Sequence, residues 1–246
     1  MQKKDTVILF PIGVIEEHGP HISLCADIAW SYGIAKRVKD GLLKKGKESL
    51  IAPPYYFGVN SCTVAFPGTF SLKSETVEMV LVETFENLYR FGFKEVYCFN
   101  YHGDAKHVNA ILKAIQTVNK KESLKVKLVF DEMNLRLYNF LGDENFLLVI
   151  NPEYPMSVFE QLSEGEENKL DIHAGAYETG MLHTMYPSLV NLDMVQELLS
   201  TSLTRQEMKQ WLEGGEAMRE MLPDGYAGNP RGYEAVSRHA EEIIAL

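Results

Sequence analysis

The chain has 246 residues, 46% apolar and 24% charged, which is ordinary globular composition with enough length to bury a substantial core. Its formal net charge of -10 is the reverse of the basic footprint of a phosphate-backbone binder, so nucleic acid is not an expected partner. The cysteines Cys25, Cys62 and Cys98 lie far apart and form neither a disulfide framework nor a paired zinc motif, as suits a reducing cytoplasm.

The N-terminal "TVILFPIG" (6–13) is too short an apolar core for a signal peptide and reads as a strand covered on both faces. From Asp27, "DIAWSYGIAKRVKDGLLKKGK" predicts a helix with Ile28, Tyr32, Ala35 and Val38 at helical spacing and lysines at its C-terminal end. "SLIAPPYYFG" predicts a second short strand stopped by Pro53 and Pro54. "SLKSETVEMVLVETFENLYRFGF" predicts a helix capped by Ser74, with Val77, Val80, Leu81, Thr84 and Leu88 along one face. A third strand, "KEVYCFN", precedes the helix "GDAKHVNAILKAIQTVNKK", and "LKVKLVFDEMN" is a fourth strand. The stretch 141–170 mixes Pro, Gly and an acidic run, and reads as a lid-like excursion in which Tyr154 and Phe159 offer aromatic cover. "HAGAYETGMLHTMYP" resumes a helix through Ala176, Met181, Leu182 and Met185, and the tail is a Gly/Pro/Asn loop followed by a terminal helix. Alternating strands and helices predict an α/β fold, a three-layer α/β/α sandwich with a mostly parallel central sheet, in one domain over 1–246. No apolar run approaches the ~20 residues of a membrane span. A soluble cytoplasmic protein without membrane partners is expected.

In open α/β sheets, ligands bind beyond the carboxyl ends of the strands. Two polar clusters fall there. "EEHGPHISLCAD" gathers Glu16, Glu17, His18, His21 and Asp27 after the first strand, and "NYHGDAKH" offers His102, Asp104 and His107 after the third. A third stretch, "DIHAGAYETG", places Asp171, His173 and Glu178 ahead of an apolar helix. On residue types alone these are either a metal site or polar loops whose side chains cap backbone groups, with Asp171 and His173 capping the helix that follows.

Together the three stretches resemble the creatininase (creatinine amidohydrolase) family. The family's strand-end motif is matched by "PIGVIEEHGPHISLCAD", its "FPGT(I/F)SL" by "FPGTFSL" (66–72), and its Asn-Gly-His-Gly by "NYHG" (100–103). Its "HAGxxET" is matched by "HAGAYET" (173–179), and its late "GxxGDP" by "GYAGNP" (225–230). The matches run in order over nearly the whole chain.

The resemblance implies two divalent metals bridged by Asp27, with Glu16 and His18 one on each, His102 opposite Glu16, and Asp104 completing the second. Imidazole plus carboxylate suits Zn, Mn or Fe. Glu16 and His18, two residues apart, need a turn to engage together, which Gly19-Pro20 can supply. The implied chemistry is hydrolysis of a C–N bond in a small cyclic amide or formamide, by water made acidic on a metal that also polarises the carbonyl. His173 is implied as the general acid/base on the leaving nitrogen. Glu178 orients that histidine, activates the water or joins the metal shell. Glu17 is expected to be solvated or to support a ligand, His21 to support a ligand or touch the substrate, and His107, His183 and His239 to be ordinary surface or core histidines. Trp30 and Trp211 are the chain's only tryptophans, and neither lies in 141–170. With Tyr101, Ala105 and Asn229 also departing from the usual pattern, the surroundings point away from creatinine itself. Other readings are hydrolysis of a lactone or short peptide, or a non-catalytic metal- or ligand-binding protein of the same fold. The resemblance further implies a homo-oligomer, a hexamer, acting on a small-molecule substrate.

Overall fold

Strand β1 (Val7–Ile12) is almost wholly apolar and buried, the pattern of a strand with helices on both sides. The structure, a computed structural model, describes residues 6–121, 123–150, 171–201 and 203–244. They divide into two compact units whose segments alternate along the chain. One holds the described residues of Met1–Val14, Trp30–Val59 and Ser71–Asn151, and the other those of Ile15–Ala29, Asn60–Phe70 and Pro152–Leu246.

In the first unit, β1 joins β2 (Ser49–Ile51), β3 (Glu95–Asn100), β4 (Lys125–Asp131) and β5 (Leu147–Ile150) in an all-parallel sheet of order β2-β1-β3-β4-β5. Between the strands run helices α1 (Ala26–Lys44, in this unit from Trp30 on), α2 (Ser74–Arg90), α3 (Ala105–Lys121) and α4 (Glu132–Tyr138). The strand order reverses beside β1, so right-handed crossovers put α1 on one face of the sheet and α2 and α3 on the other. Side-chain parity agrees. Ile8, Phe10 and Ile12 share a core with Val77, Leu81 and Phe85 of α2 and Ile111 and Ile115 of α3, while Leu9, on the opposite face, is buried as well. The chain leaves β1 and β3 at adjacent strand ends, because Ile12 pairs with Asn100. The sheet flanked by helices is the expected fold class, and no helix among the described residues is long and apolar enough to cross a membrane.

Five details differ from the sequence reading. Helix α1 buries Trp30, Ser31, Ile34 and Ala35, while Tyr32 is exposed, because the Trp30 ring stacks on Tyr101 at 4.9 Å and turns the helix onto that side. Helix α2 buries Val77, Leu81 and Phe85, with Val80 outside. Its N-cap is Lys73, which makes no side-chain capping bond. The fourth strand stops at Asp131, whose carboxylate accepts the Asn134 N–H at 2.7 Å and starts α4. Leu147–Ile150, expected within the lid-like stretch, is β5, paired with β4. Residues 151–170, with Tyr154 and Phe159, lie outside the described residues.

The second unit contains α5 (Ala176–Met185), α6 (Leu192–Glu197), α7 (Arg205–Glu213), α8 (Glu216–Met221) and α9 (Tyr233–Ile244). Thr204 and Glu207 form a capping box at the start of α7. Helices α5 and α9 approach closely at Gly180, where a methyl group would lie 2.6 Å from the Tyr233 carbonyl oxygen.

Candidate functional site

Glu16, His18, Asp27, His173 and Glu178 fall in the second unit, and His102 and Asp104 in the first. Each set is built by its own local geometry.

The loop after β1 turns at Gly19, whose φ of 69° places it in the left-handed region. A methyl group there would meet the His21 ring at 2.9 Å, so glycine serves this turn twice over. The turn lets Glu16 and His18 face the same way, and one ligand atom from each lies within 4.8 Å of one from His173. All three residues are buried. Backbone carbonyls fix both rings. His18 Nδ1 is 3.2 Å from the Glu16 carbonyl and His173 Nε2 is 2.7 Å from the Glu17 carbonyl. Since a carbonyl only accepts, those nitrogens carry the protons, and His18 Nε2 and His173 Nδ1 are the nitrogens turned to the carboxylates. His18 Nε2 is 3.4 Å from Asp27 Oδ1, and both His18 Nε2 and His173 Nδ1 are 3.9 Å from Glu178 Oε2. Glu178, on the first turn of α5, is itself held by the Ala174 N–H at 2.5 Å. Ala174 has a φ of 50°, a left-handed conformation that alanine rarely adopts and that here aims its N–H at this carboxylate.

The remaining motifs of this unit interlock around that loop. The Glu17 N–H donates to Thr69 Oγ1 of "FPGT" at 3.0 Å, and the Phe70 N–H donates to the Ile15 carbonyl at 3.0 Å. Thr63 donates to Glu16 Oε2 at 2.5 Å. Ala227 of the late motif pairs with His173 in both directions, N–H to O at 2.8 and 3.2 Å. Gly225 lies so close to the Glu17 carboxylate that a side chain there would collide with it. His21 Nε2 is 3.0 Å from Thr179 Oγ1. Asp171 Oδ2 accepts the Tyr177 N–H at 2.8 Å and so caps α5, whereas His173, turned to Glu17, does not.

Electrostatics follow from this packing. Burial opposes charge on His18, but Asp27, then Glu178 and Glu16, outweigh it and lift its pKa to about 10. Burial, aided by His18 and His173, depresses His21 to about 4 against an opposing backbone hydrogen bond at Ala174. Burial also raises Glu17, against the pull of His173 and the Gly19 N–H. Asp171 is raised by burial to about 7, with the Tyr177 N–H opposing.

In the first unit, His102 Nε2 is 2.9 Å from the Val59 carbonyl, which makes Nε2 its donor and Nδ1 its basic nitrogen. Asp104 Oδ1 accepts the Lys106 and His107 N–H groups at 2.7 and 3.1 Å and so caps α3. His107 is a core histidine, its Nδ1 3.4 Å from the Val59 N–H.

Two participants escaped the sequence reading. Trp211, on α7, is buried with its ring 5.7 Å from that of His173. The amphipathic pattern of its helix marks it as core, but nothing local ties it to His173. Thr63 carried no signal either, since it meets Glu16 across 47 residues.

The donor set can be tested against an ion. His18 Nε2 is buried and makes no hydrogen bond among the described residues. Two ligand atoms on one tetrahedral ion with bonds of about 2.1 Å are about 3.4 Å apart, which is the His18–Asp27 separation. These residues fit a divalent cation.

The parallel sheet of the first unit and the buried imidazole–carboxylate cluster of the second together define an α/β protein with a metal-capable centre. The chain belongs to the creatininase family: the family model described as creatinine amidohydrolase matches residues 1–246. It is a hydrolase of that family. Creatinine amidohydrolase of Pseudomonas putida is 25% identical over 201 residues, covering 78% of this chain and 68% of that protein. Mycofactocin precursor peptide peptidase of Mycolicibacterium smegmatis is 29% identical over 110 residues, 44% of this chain, and the match spans only 43% of that relative. Among solved structures, "Creatininase Mn" aligns with a TM-score of 0.68 at 23% identity, covering 98% of this chain and 86% of that one. A creatininase variant described as Zn-Zn type aligns at 0.64 and 22%, covering 98% and 89%. At these identities the structures speak to the fold.

Proposed function

We propose that the protein hydrolyses a C–N bond in a small cyclic amide or formamide, with Glu16, His18, Asp27, His102 and Asp104 holding two divalent ions, Zn, Mn or Fe. The observation that carries this reading is His18. Its Nδ1 is tied to a backbone carbonyl, and its buried Nε2 faces Asp27 at 3.4 Å, the spacing of neighbouring ligands on one ion, with Glu178 farther off at 3.9 Å. Glu178, 3.9 Å from both His18 Nε2 and His173 Nδ1, orients His173, activates the water or joins the shell around His18. His102 and Asp104 enter on the family motif, His102 through Nδ1.

When bound, the ions acidify water and polarise the scissile carbonyl. His173 moves the proton. Its Nε2–H stays on the Glu17 carbonyl throughout, and Nδ1 collects a proton and returns it to the departing nitrogen. A second reading, hydrolysis of a peptide bond, is favoured by the match to the mycofactocin precursor peptide peptidase.

The test is elemental analysis of metal per chain for wild type and Asp27→Ala, followed by amine-release assays on cyclic amides, formamides and short peptides. Two ions per chain, lost in the variant, with amine release from a cyclic amide or formamide, are expected. Release from peptides alone moves the assignment to the second reading. A wild type that holds no ion even after soaking in Zn²⁺ or Mn²⁺ refutes both. The hexamer that family membership implies is checked by light scattering.

A further inference from the structure

We propose that Thr63 is a positioning residue that sets the carboxylate of Glu16 for its ion, a role that rests on the metal assignment above. Thr63 is 1% exposed and Glu16 3% exposed, so their contact is sealed from water. The Thr63 hydroxyl donates to Glu16 Oε2 at 2.5 Å. An ionised carboxylate accepts only, so a hydroxyl proton on one oxygen fixes both the plane and the rotamer of the group. Thr63 is in turn held from its backbone: its carbonyl accepts the Phe66 N–H at 3.0 Å at the start of "FPGT", and that strap is fastened to the same loop through Thr69–Glu17 and Phe70–Ile15. Glu16 is thus gripped from its own backbone, where its N–H donates to the Leu24 carbonyl at 3.2 Å, and from its side-chain tip by a residue of a different segment. Side chains that orient a metal ligand in this way change affinity typically by 10–100-fold when removed.

The chemistry separates the hydroxyl from the bulk of the side chain. Thr63→Val keeps the shape and deletes the donor, and Thr63→Ser keeps the donor and deletes a methyl group. Mn²⁺ and Zn²⁺ affinities of the purified full chain are measured by calorimetric titration after chelation and dialysis. Circular dichroism and the thermal midpoint of the metal-free protein are recorded alongside. The expected result is a loss of about 10–100-fold in affinity at one of the two ion sites in Thr63→Val, with the other site unchanged and Thr63→Ser close to wild type. If Thr63→Val does not fold, Thr63→Ala, which imposes no branched apolar group on the carboxylate, takes its place with the same expectation. Wild-type affinities at both sites in a folded Thr63→Val or Thr63→Ala overturn the proposal while leaving the metal assignment standing. Equal weakening in Thr63→Ser also overturns it, because the methyl group and not the hydroxyl would then be at work. A wild type that binds neither ion overturns the metal assignment and this proposal together.

Discussion

Loading the metal-free protein with a divalent ion should expel a proton from His18. Its pKa of about 10 means that ~99% of the metal-free chains carry the extra proton at about pH 8, whereas a ligating imidazole must be neutral at the coordinating nitrogen. About one proton per chain should therefore leave from His18 on binding, and apparent affinity should climb about tenfold per pH unit, or ~30-fold from about pH 7 to about pH 8.5. Calorimetric titration with Mn²⁺ in buffers of different ionisation enthalpy reads the proton count directly, and repeating it in His18→Gln assigns the proton to this ring. Heats that do not depend on the buffer, or an affinity flat across that range, would refute the reasoning, because His18 would then be neutral without the ion. The sign for the metal-free fold follows from the same shift. A folded-state pKa raised above the ordinary histidine value of 6.5 gives stability that is fully present below about pH 6.5 and lost as pH rises through about 10. The metal-free thermal midpoint should accordingly fall over that upper range, and a midpoint independent of pH would contradict it.

Three further outcomes are expected. Gly180→Ala should destabilise the protein by about 1–3 kcal/mol in denaturant titration, since its methyl group would lie 2.6 Å from both the Tyr233 carbonyl oxygen and Val236 Cβ; an unchanged midpoint would mean that α5 and α9 can part at no cost. Phe85→Ala should cost about 3–5 kcal/mol, because Phe85 is fully buried and meets Phe10 edge-on at 5.7 Å; a loss under about 1 kcal/mol would show a core able to collapse around the void. His173→Asn should retain both ions by elemental analysis while amine release falls by a factor of about 10²–10⁴, and loss of an ion would make His173 a ligand instead of a proton carrier.

Strands β1 to β4 were legible because their apolar runs are bounded by charged or Pro-rich segments, so length and composition agreed. β5 was not: its four residues follow a Gly- and acid-rich turn, and only pairing with β4 makes "LLVI" a strand. The face of α1 was misjudged by one position in the turn, because Trp30 has a stacking partner in Tyr101 that lies far along the chain. The candidate site was legible as chemistry, since Glu16, His18, Asp27, His173 and Glu178 stand in short motifs. Its supports were not. The ties from Thr63 to Glu16 and from His173 to the Glu17 carbonyl span 47 and 156 residues, and the second uses a backbone group that every residue type offers. Asp104 shows the opposite hazard, a carboxylate in a ligand motif that also caps α3 by ordinary N-terminal chemistry.

The alternation of the two units along the chain bears on how the protein emerges from the ribosome. All five described strands of the sheet have been made once Ile150 is synthesised, while the loop carrying Glu16 and His18 has been waiting since the first strand. Its partners come much later: His173 and Glu178, and after them Ala227, whose pairing holds His173 in place. A nascent or prematurely terminated chain can therefore complete its sheet while its acidic loop has nothing to close against, and the metal-capable cluster is among the last features to appear. Translation that stalls between Ile150 and His173 would yield chains that have folded in part yet hold His18 without His173.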